Sequence, residues 1–201
     1  LEQFATIVSH DLRNPLNVAQ GRLDLVDAGD DRNHLDTARD ALTRMEELIE
    51  DLLVLAREGG RASETERVDL GRTVVDCREI VSAPEASFTP ETDRAIRADR
   101  SRLRQLFENL FRNAVEHGRA DVAVTVGDLP DGFYVADDGP GIPEPEREQV
   151  FDTGYTTADG GTGLGLNIVK QIADAHGWDV AVTESEAGGA RFEFTGVDVL
   201  E

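Results

Sequence analysis

Leu35, Ala38, Leu42, Met45, Ile49, Leu52 and Ala56 alternate spacings of three and four, and this sustained seam constrains the chain more than any other feature. A second apolar stripe precedes it through Leu12, Leu16, Ala19, Leu23 and Val26, and the intervening "AGDDRNH" supplies a turn. The first 58 residues hold one proline and two glycines, so they read as two helices joined in a hairpin. Single stripes on two short helices cannot seal a core; such a hairpin reaches one by pairing with a second copy into a four-helix bundle. From the heptads alone, a dimerisation stalk fits equally well. Neither reading explains "FATIVSHDLRNPLN", where Ser9, His10 and Asp11 interrupt the apolar face and Pro15 removes a helical donor.

Charge narrows the possible partners. The chain carries 41 acidic against 20 basic residues, a net charge of −21, spread along its length, and Lys170 is its one lysine. A dispersed acidic surface keeps a protein soluble by self-repulsion and is a device of halophiles, so a salt-rich cytoplasm is expected. The same acidity argues against a nucleic-acid partner. The single cysteine, Cys77, excludes an internal disulfide framework and fits a reducing compartment. No apolar run is long enough to span a bilayer and no signal-peptide pattern is present, so no membrane contact is expected within these residues. Met45 is the sole methionine, so the chain is expected to be part of a longer protein, whose membrane tethering stays open.

A glycine- and charge-rich stretch breaks the helical pattern, placing a linker at 59–67 between a hairpin at 1–58 and a second domain at 68–201. There "DLGRTVVDCREIV" reads as a helix, and "ASFTPE" and "RAIRAD" as short strands. "DRSRLRQLFENLFRNAVEHG" is an amphipathic helix with Asp99 as its N-cap and Gly118 at its end. "DVAVTVGDLPDGFYVADDG" and "DVAVTESEAGGARFEFTGV" read as hairpins, and "GLNIVKQIADAHG" as a further helix. Helices mixed with antiparallel strands, without regular alternation, predict an α+β two-layer sandwich.

Two glycine clusters and two asparagines carry the chemistry. "GGTGLGL" places Gly160, Gly161, Gly163 and Gly165 directly before a helix, where backbone N–H groups and the helix dipole favour an anion. It lacks a P-loop lysine and does not follow a strand, so neither that motif nor a dinucleotide fingerprint applies. "DDGPGIP" places Gly139 and Gly141 just after a strand ending at Asp137. Asn109 and Asn113 lie four apart on one face of a helix whose neighbours are apolar. An amide oxygen there suits Mg²⁺ beside a polyphosphate.

Together, "NLFRNAVEHG", "VADDGPGIP", "VFDTGYTT" and "GGTGLGL" resemble the N, G1, F and G2 boxes of the ATP-binding domain of sensor histidine kinases. These boxes are shared in part with gyrase-, MutL- and Hsp90-type ATPases. "FATIVSHDLRNPL" resembles the H box of the same kinases, and the boxes span nearly all of residues 1–195 in family order. The resemblance implies a dimerisation and phosphotransfer hairpin followed by an ATP-binding sandwich of the Bergerat (GHKL) fold. It implies ATP-dependent autophosphorylation of His10 and transfer to a response-regulator aspartate, with regulator phosphatase activity as a possible addition.

On the resemblance, Asp11 is the general base and Asn14 the residue that positions water in the reverse reaction. Asp137 accepts the adenine amino group, Gly139 and Gly141 make room for the base, and Asn113 binds Mg²⁺ with Asn109 as companion. Gly161, Thr162, Gly163, Leu164 and Gly165 surround the phosphates, and 142–160 forms the lid. His117 stands where relatives often carry tyrosine, Glu116 where many carry a phosphate-contacting lysine, and Ala190 where threonine is common near adenine. The F box keeps Phe151 but lacks the usual second phenylalanine. A non-catalytic nucleotide-sensing dimerisation module and a GHKL-type ATPase remain as alternatives.

Overall fold

The computed structural model describes residues 15–23, 25, 34–39, 41, 42, 45, 49, 64–78, 83–152, 154–156 and 163–200. The chain divides into two compact units, Leu1–Glu58 and Gly59–Glu201. In the first, residues 15–23 and 34–39 are helical. Its buried cluster is made of small side chains, Ala19, Ala38 and Ala41, while Leu16, Leu23, Leu35, Leu42 and Ile49 are exposed. Arg22 Nη1 lies 3.4 Å from His34 Nδ1. His10, Asp11 and Asn14, the stripe residues Leu12, Val26, Leu52 and Ala56, and most of the turn and linker lie outside the described residues.

The second unit runs β1 (Glu66–Asp69), α1 (Leu70–Arg78), β2 (Ser87–Glu91), β3 (Ala95–Ala98), α2 (Arg100–His117), β4 (Ala123–Leu129), β5 (Gly132–Asp137), α3 (Gly165–His176), β6 (Asp179–Glu184), β7 (Ala190–Thr195) and β8 (Val199–Leu200). Five strands form one sheet in the order β2-β4-β5-β7-β6. Its pairs are antiparallel except β2 with β4. β1, β3 and β8 form a small antiparallel sheet. This is the α+β sandwich that the pattern predicts, with two additions. β1 begins at Glu66, inside the stretch read as linker, because Glu66 pairs with Ala98; β8 is a two-residue strand held by β3.

One face of the large sheet is sealed. Val124, Val126, Phe133, Val135, Phe192 and Phe194 are buried, and the alternate residues Thr125, Tyr134, Arg191 and Glu193 are more accessible, as the period of two requires. From α2, Phe107 meets Phe133 at 5.8 Å and Phe111 meets Phe88 at 4.7 Å. Phe133 stacks on Phe194 at 4.7 Å and takes the edge of Trp178 at 5.8 Å. These are favourable aromatic geometries on top of a large apolar burial.

Named contacts fix the ends of α2 and the last turn of α3. Asp99 caps α2, its carboxylate accepting the N–H groups of Ser101 and Arg102 at 3.0 and 3.2 Å. His176, at the end of α3, accepts the Asp99 N–H on Nε2 at 2.9 Å, and its Nδ1 donates to the Ile172 carbonyl at 2.8 Å. Burial pushes its pKa below the ordinary histidine value, which keeps Nε2 free to accept. Gly118 closes α2 in extended backbone (φ −86°); a Cβ there would stand 2.3 Å from the Ala114 carbonyl oxygen, so the close approach needs glycine. Among the described residues, no helix is long and apolar enough to cross a membrane.

Candidate functional site

The site begins where β5 ends. Asp137 is half-buried, and its Oδ1 accepts the N–H of Gly139 at 2.9 Å and of Ala190 at 3.0 Å. Its Oδ2 has no hydrogen-bond partner among the described residues. Burial pushes the Asp137 pKa above the ordinary carboxylate range, the two N–H donors pull it back, and neighbouring Asp138 adds to the rise. Asp138 instead clamps the start of β4, with Oδ1 accepting the Ala123 N–H and Oδ2 pairing with Arg119.

Glycines hold the walls close. A Cβ on Gly189 would lie 2.2 Å from the Asp137 carbonyl oxygen and 2.5 Å from Oδ1. Gly141 adopts φ +72°, packed on the Gly188 carbonyl. Gly139 faces the Cα of Gly118, which joins the G1 loop to the end of α2. Gly189 carries no prediction from the motifs; the paired glycines between β6 and β7 signal a turn, not a contact with Asp137.

The asparagines divide their work. Asn109 is buried at 6% exposure, its Nδ2 donating to the Gln105 carbonyl at 3.0 Å. Its Oδ1 lies against Gly165, where a Cβ would come within 3.0 Å, so Asn109 braces the first turn of α3 against α2. Asn113, one turn on, is half-buried and its side chain makes no hydrogen bond among the described residues. Among the described residues its amide oxygen thus has no hydrogen-bond donor. His117 is exposed on the last turn of α2, and no hydrogen bond or ring contact draws it inward among the described residues.

Gly163 adopts φ +64°, and a Cβ there would stand 2.5 Å from Gly154, so the F and G2 loops touch at a place that requires glycine. The Gly154 N–H donates to the Gly163 carbonyl at 3.1 Å, and Asn167 Nδ2 donates to the Phe151 carbonyl at 2.9 Å. Leu164 is buried at 1% exposure, so its side chain belongs to the core. Gly161 and Thr162 lie outside the described residues. Of the expected lid, the described part is tied down: Tyr155 donates to Glu146 at 2.6 Å, and Arg147 Nε to the Ile142 carbonyl at 3.0 Å. Lys170 is paired with Asp174 at 2.6 Å. Among the described residues, the arrangement offers a carboxylate oxygen and an amide oxygen without hydrogen-bond partners, beside closely packed glycines.

Comparison with known proteins identifies the family. Residues 98–198 match the family described as Histidine kinase-, DNA gyrase B-, and HSP90-like ATPase, and residues 1–61 match the His Kinase A (phospho-acceptor) domain. The chain is 28% identical over 219 residues to the sensor histidine kinase WalK of Bacillus subtilis (strain 168), covering 96% of this chain and 36% of WalK. It is 31% identical over 215 residues to the methanogenesis regulatory histidine kinase FilI of Methanothrix harundinacea (strain 6Ac), covering 97% of this chain and 24% of FilI. The crystal structure of full-length ShkA in complex with AMPPNP has a TM-score of 0.67 at 29% identity, over 99% of this chain and 46% of that chain. The chain thus spans less than half the length of these relatives. With a phospho-acceptor region followed by an ATPase-type sandwich, it belongs to the sensor histidine kinase family.

Proposed function

We propose that this chain is the catalytic core of a two-component sensor kinase, using ATP to phosphorylate His10 and passing the phosphoryl group to a response-regulator aspartate. The observation that carries the reading is Asp137: two backbone N–H groups hold Oδ1 and leave Oδ2 to accept the exocyclic amine of adenine. An oxo group at that place would meet the carboxylate with like polarity, so the contact selects adenine over guanine. Gly139 and Gly189 let the backbone pack closely against Asp137, which supports the carboxylate's placement for a base.

A ring nitrogen of His10 attacks the γ-phosphorus as the β–γ phosphoanhydride bond breaks, ADP leaves, and Asp11 takes the ring proton. Asn14 then positions water when the regulator is dephosphorylated. Asn113 would supply an oxygen to Mg²⁺, with Asn109 holding the helix beside it; the metal, when bound, offsets phosphate charge. The backbone of Gly161, Thr162, Gly163, Leu164 and Gly165 would meet the phosphates at the start of α3, and His117 would flank the base. Residues 1–58 serve as the dimerisation and phosphotransfer hairpin, 59–67 as linker and 68–201 as the ATP-binding domain. Exposed Leu16, Leu23, Leu35, Leu42 and Ile49 support a homodimer through the hairpin. The net charge of −21, with arginine in place of lysine almost throughout, supports work in a salt-rich cytoplasm.

The test is incubation with γ-labelled ATP and Mg²⁺ at high salt, with His10→Gln as control. Acid-labile, alkali-stable label that vanishes in the control is the expected result. Sustained phosphate release without label would instead make the chain an ATPase, and ATP binding with neither would leave a nucleotide-sensing module.

A further inference from the structure

The turn between β6 and β7 contains a buried polar side chain that the proposed reaction does not use. Ser185 is 7% exposed. Its Oγ donates to the Asp137 carbonyl oxygen at 2.6 Å and accepts the Gly189 N–H at 2.9 Å. The turn is closed on itself by two further bonds, Ser185 N–H to the Gly189 carbonyl and Gly188 N–H to the Ser185 carbonyl, each 2.9 Å. One residue beyond Gly189, the Ala190 N–H reaches Asp137 Oδ1. A single hydroxyl therefore bonds to the main chain of Asp137 and to the residue before the donor that fixes the Asp137 carboxylate.

We propose that Ser185 is a positioning residue for nucleobase recognition, setting through the β6–β7 turn which oxygen of Asp137 is held and which is presented. The inference rests on the reading of Asp137 as the acceptor of the adenine amine. Ser185 touches neither base nor phosphate; it acts through Asp137. Without its hydroxyl, nothing on the side chain holds the turn to the Asp137 carbonyl, and the Ala190 N–H loses its fixed distance from Oδ1. Oδ1 is then held by the Gly139 N–H alone, and the distinction between Oδ1 and Oδ2 weakens. A buried, doubly satisfied hydroxyl is costly to lose, because both of its former partners are left without a bond.

Selectivity measurements separate positioning from general support. Calorimetric affinities are taken for ATP and for purine riboside triphosphate, which lacks the exocyclic amine, in the unaltered chain and in Ser185→Ala. In Ser185→Ala, ATP is expected to weaken by about tenfold, the scale of one hydrogen bond to a charged group. Purine riboside triphosphate is expected to stay within about twofold, since it never used that bond. Equal weakening of both nucleotides, or unchanged preference for ATP, overturns the assignment. Should Ser185→Ala fail to fold, Ser185→Cys keeps the volume and substitutes a weak donor; it is expected to show the same selective loss, and equal loss again overturns the proposal. If the unaltered chain shows no preference for ATP, the reading of Asp137 itself fails, which is a distinguishable result.

Discussion

The two units solve the burial problem in opposite ways. In the sandwich the largest side chains are the most buried: Phe107, Phe111, Phe133 and Phe194 are all at 0% exposure. Among the described hairpin residues the buried ones are Pro15 and three alanines, and large ones such as Leu42 at 47% and Leu23 at 49% are exposed. Apolar surface of that size gains nothing in water, so the sandwich completes its own core, while the exposed leucines of the hairpin are the surface that the proposed homodimer would cover. The division matches the proposed chemistry, in which the nucleotide cradle must be preformed and the phospho-acceptor helices must assemble.

The contrast can be broken at either end. Phe133→Ala removes the ring that meets Phe107, Phe194 and Trp178, and it should cost about 3–5 kcal/mol in urea unfolding; a loss under about 1 kcal/mol would mean that the sandwich core is not what holds the unit. Leu42→Asp should weaken self-association in sedimentation by about 2 kcal/mol or more, the worth of burying one leucine. Unchanged association would show that the exposed stripe is not the interface.

Asp137→Asn should weaken ATP binding by about ten- to a hundredfold, as for a hydrogen bond to an ionised group. The same contact has a pH signature. Because burial raises the Asp137 pKa, ATP affinity should fall on acidification at a higher pH than an ordinary carboxylate would give, as protonated Oδ2 ceases to accept. An ATP affinity that is flat until the usual carboxylate range would remove Asp137 from base recognition.

The smallest effect concerns His176. Its folded pKa is lowered, so below the ordinary histidine value the unfolded chain binds a proton that the folded chain refuses. Its contribution is thus fully present above that ordinary value and is lost as pH falls toward the lower folded one. His176→Gln should cost about 1 kcal/mol near neutrality, through its two hydrogen bonds, and flatten this acid limb of stability. An unchanged limb would place the titration elsewhere.

How much of this is legible in the sequence follows from range. The span of α2 can be read because its cap, its apolar face and its terminal glycine lie within twenty residues, and the β4–β5 hairpin because "PDG" marks its turn. β1 and β8 cannot: four- and two-residue strands have no period of their own and exist because β3 pairs with both. The roles proposed for Asp137 and Asn109 come from motif resemblance, but their supports cannot be read there. Ser185 and Ala190 reach Asp137 from 48 and 53 residues away, and Asn109 meets Gly165 across two helices. Burial separates the two asparagines in a way that their spacing does not: Asn109 is enclosed, while Asn113 is half-buried.

Mapping the phosphorylated residue by mass spectrometry under alkaline conditions, after incubation with ATP and Mg²⁺ at high salt, tests the central claim directly. Phosphate on His10, absent when Asp137 is replaced by Asn at limiting ATP, is the predicted result. Phosphate on another residue, or on His10 at the same level in Asp137→Asn, would contradict it.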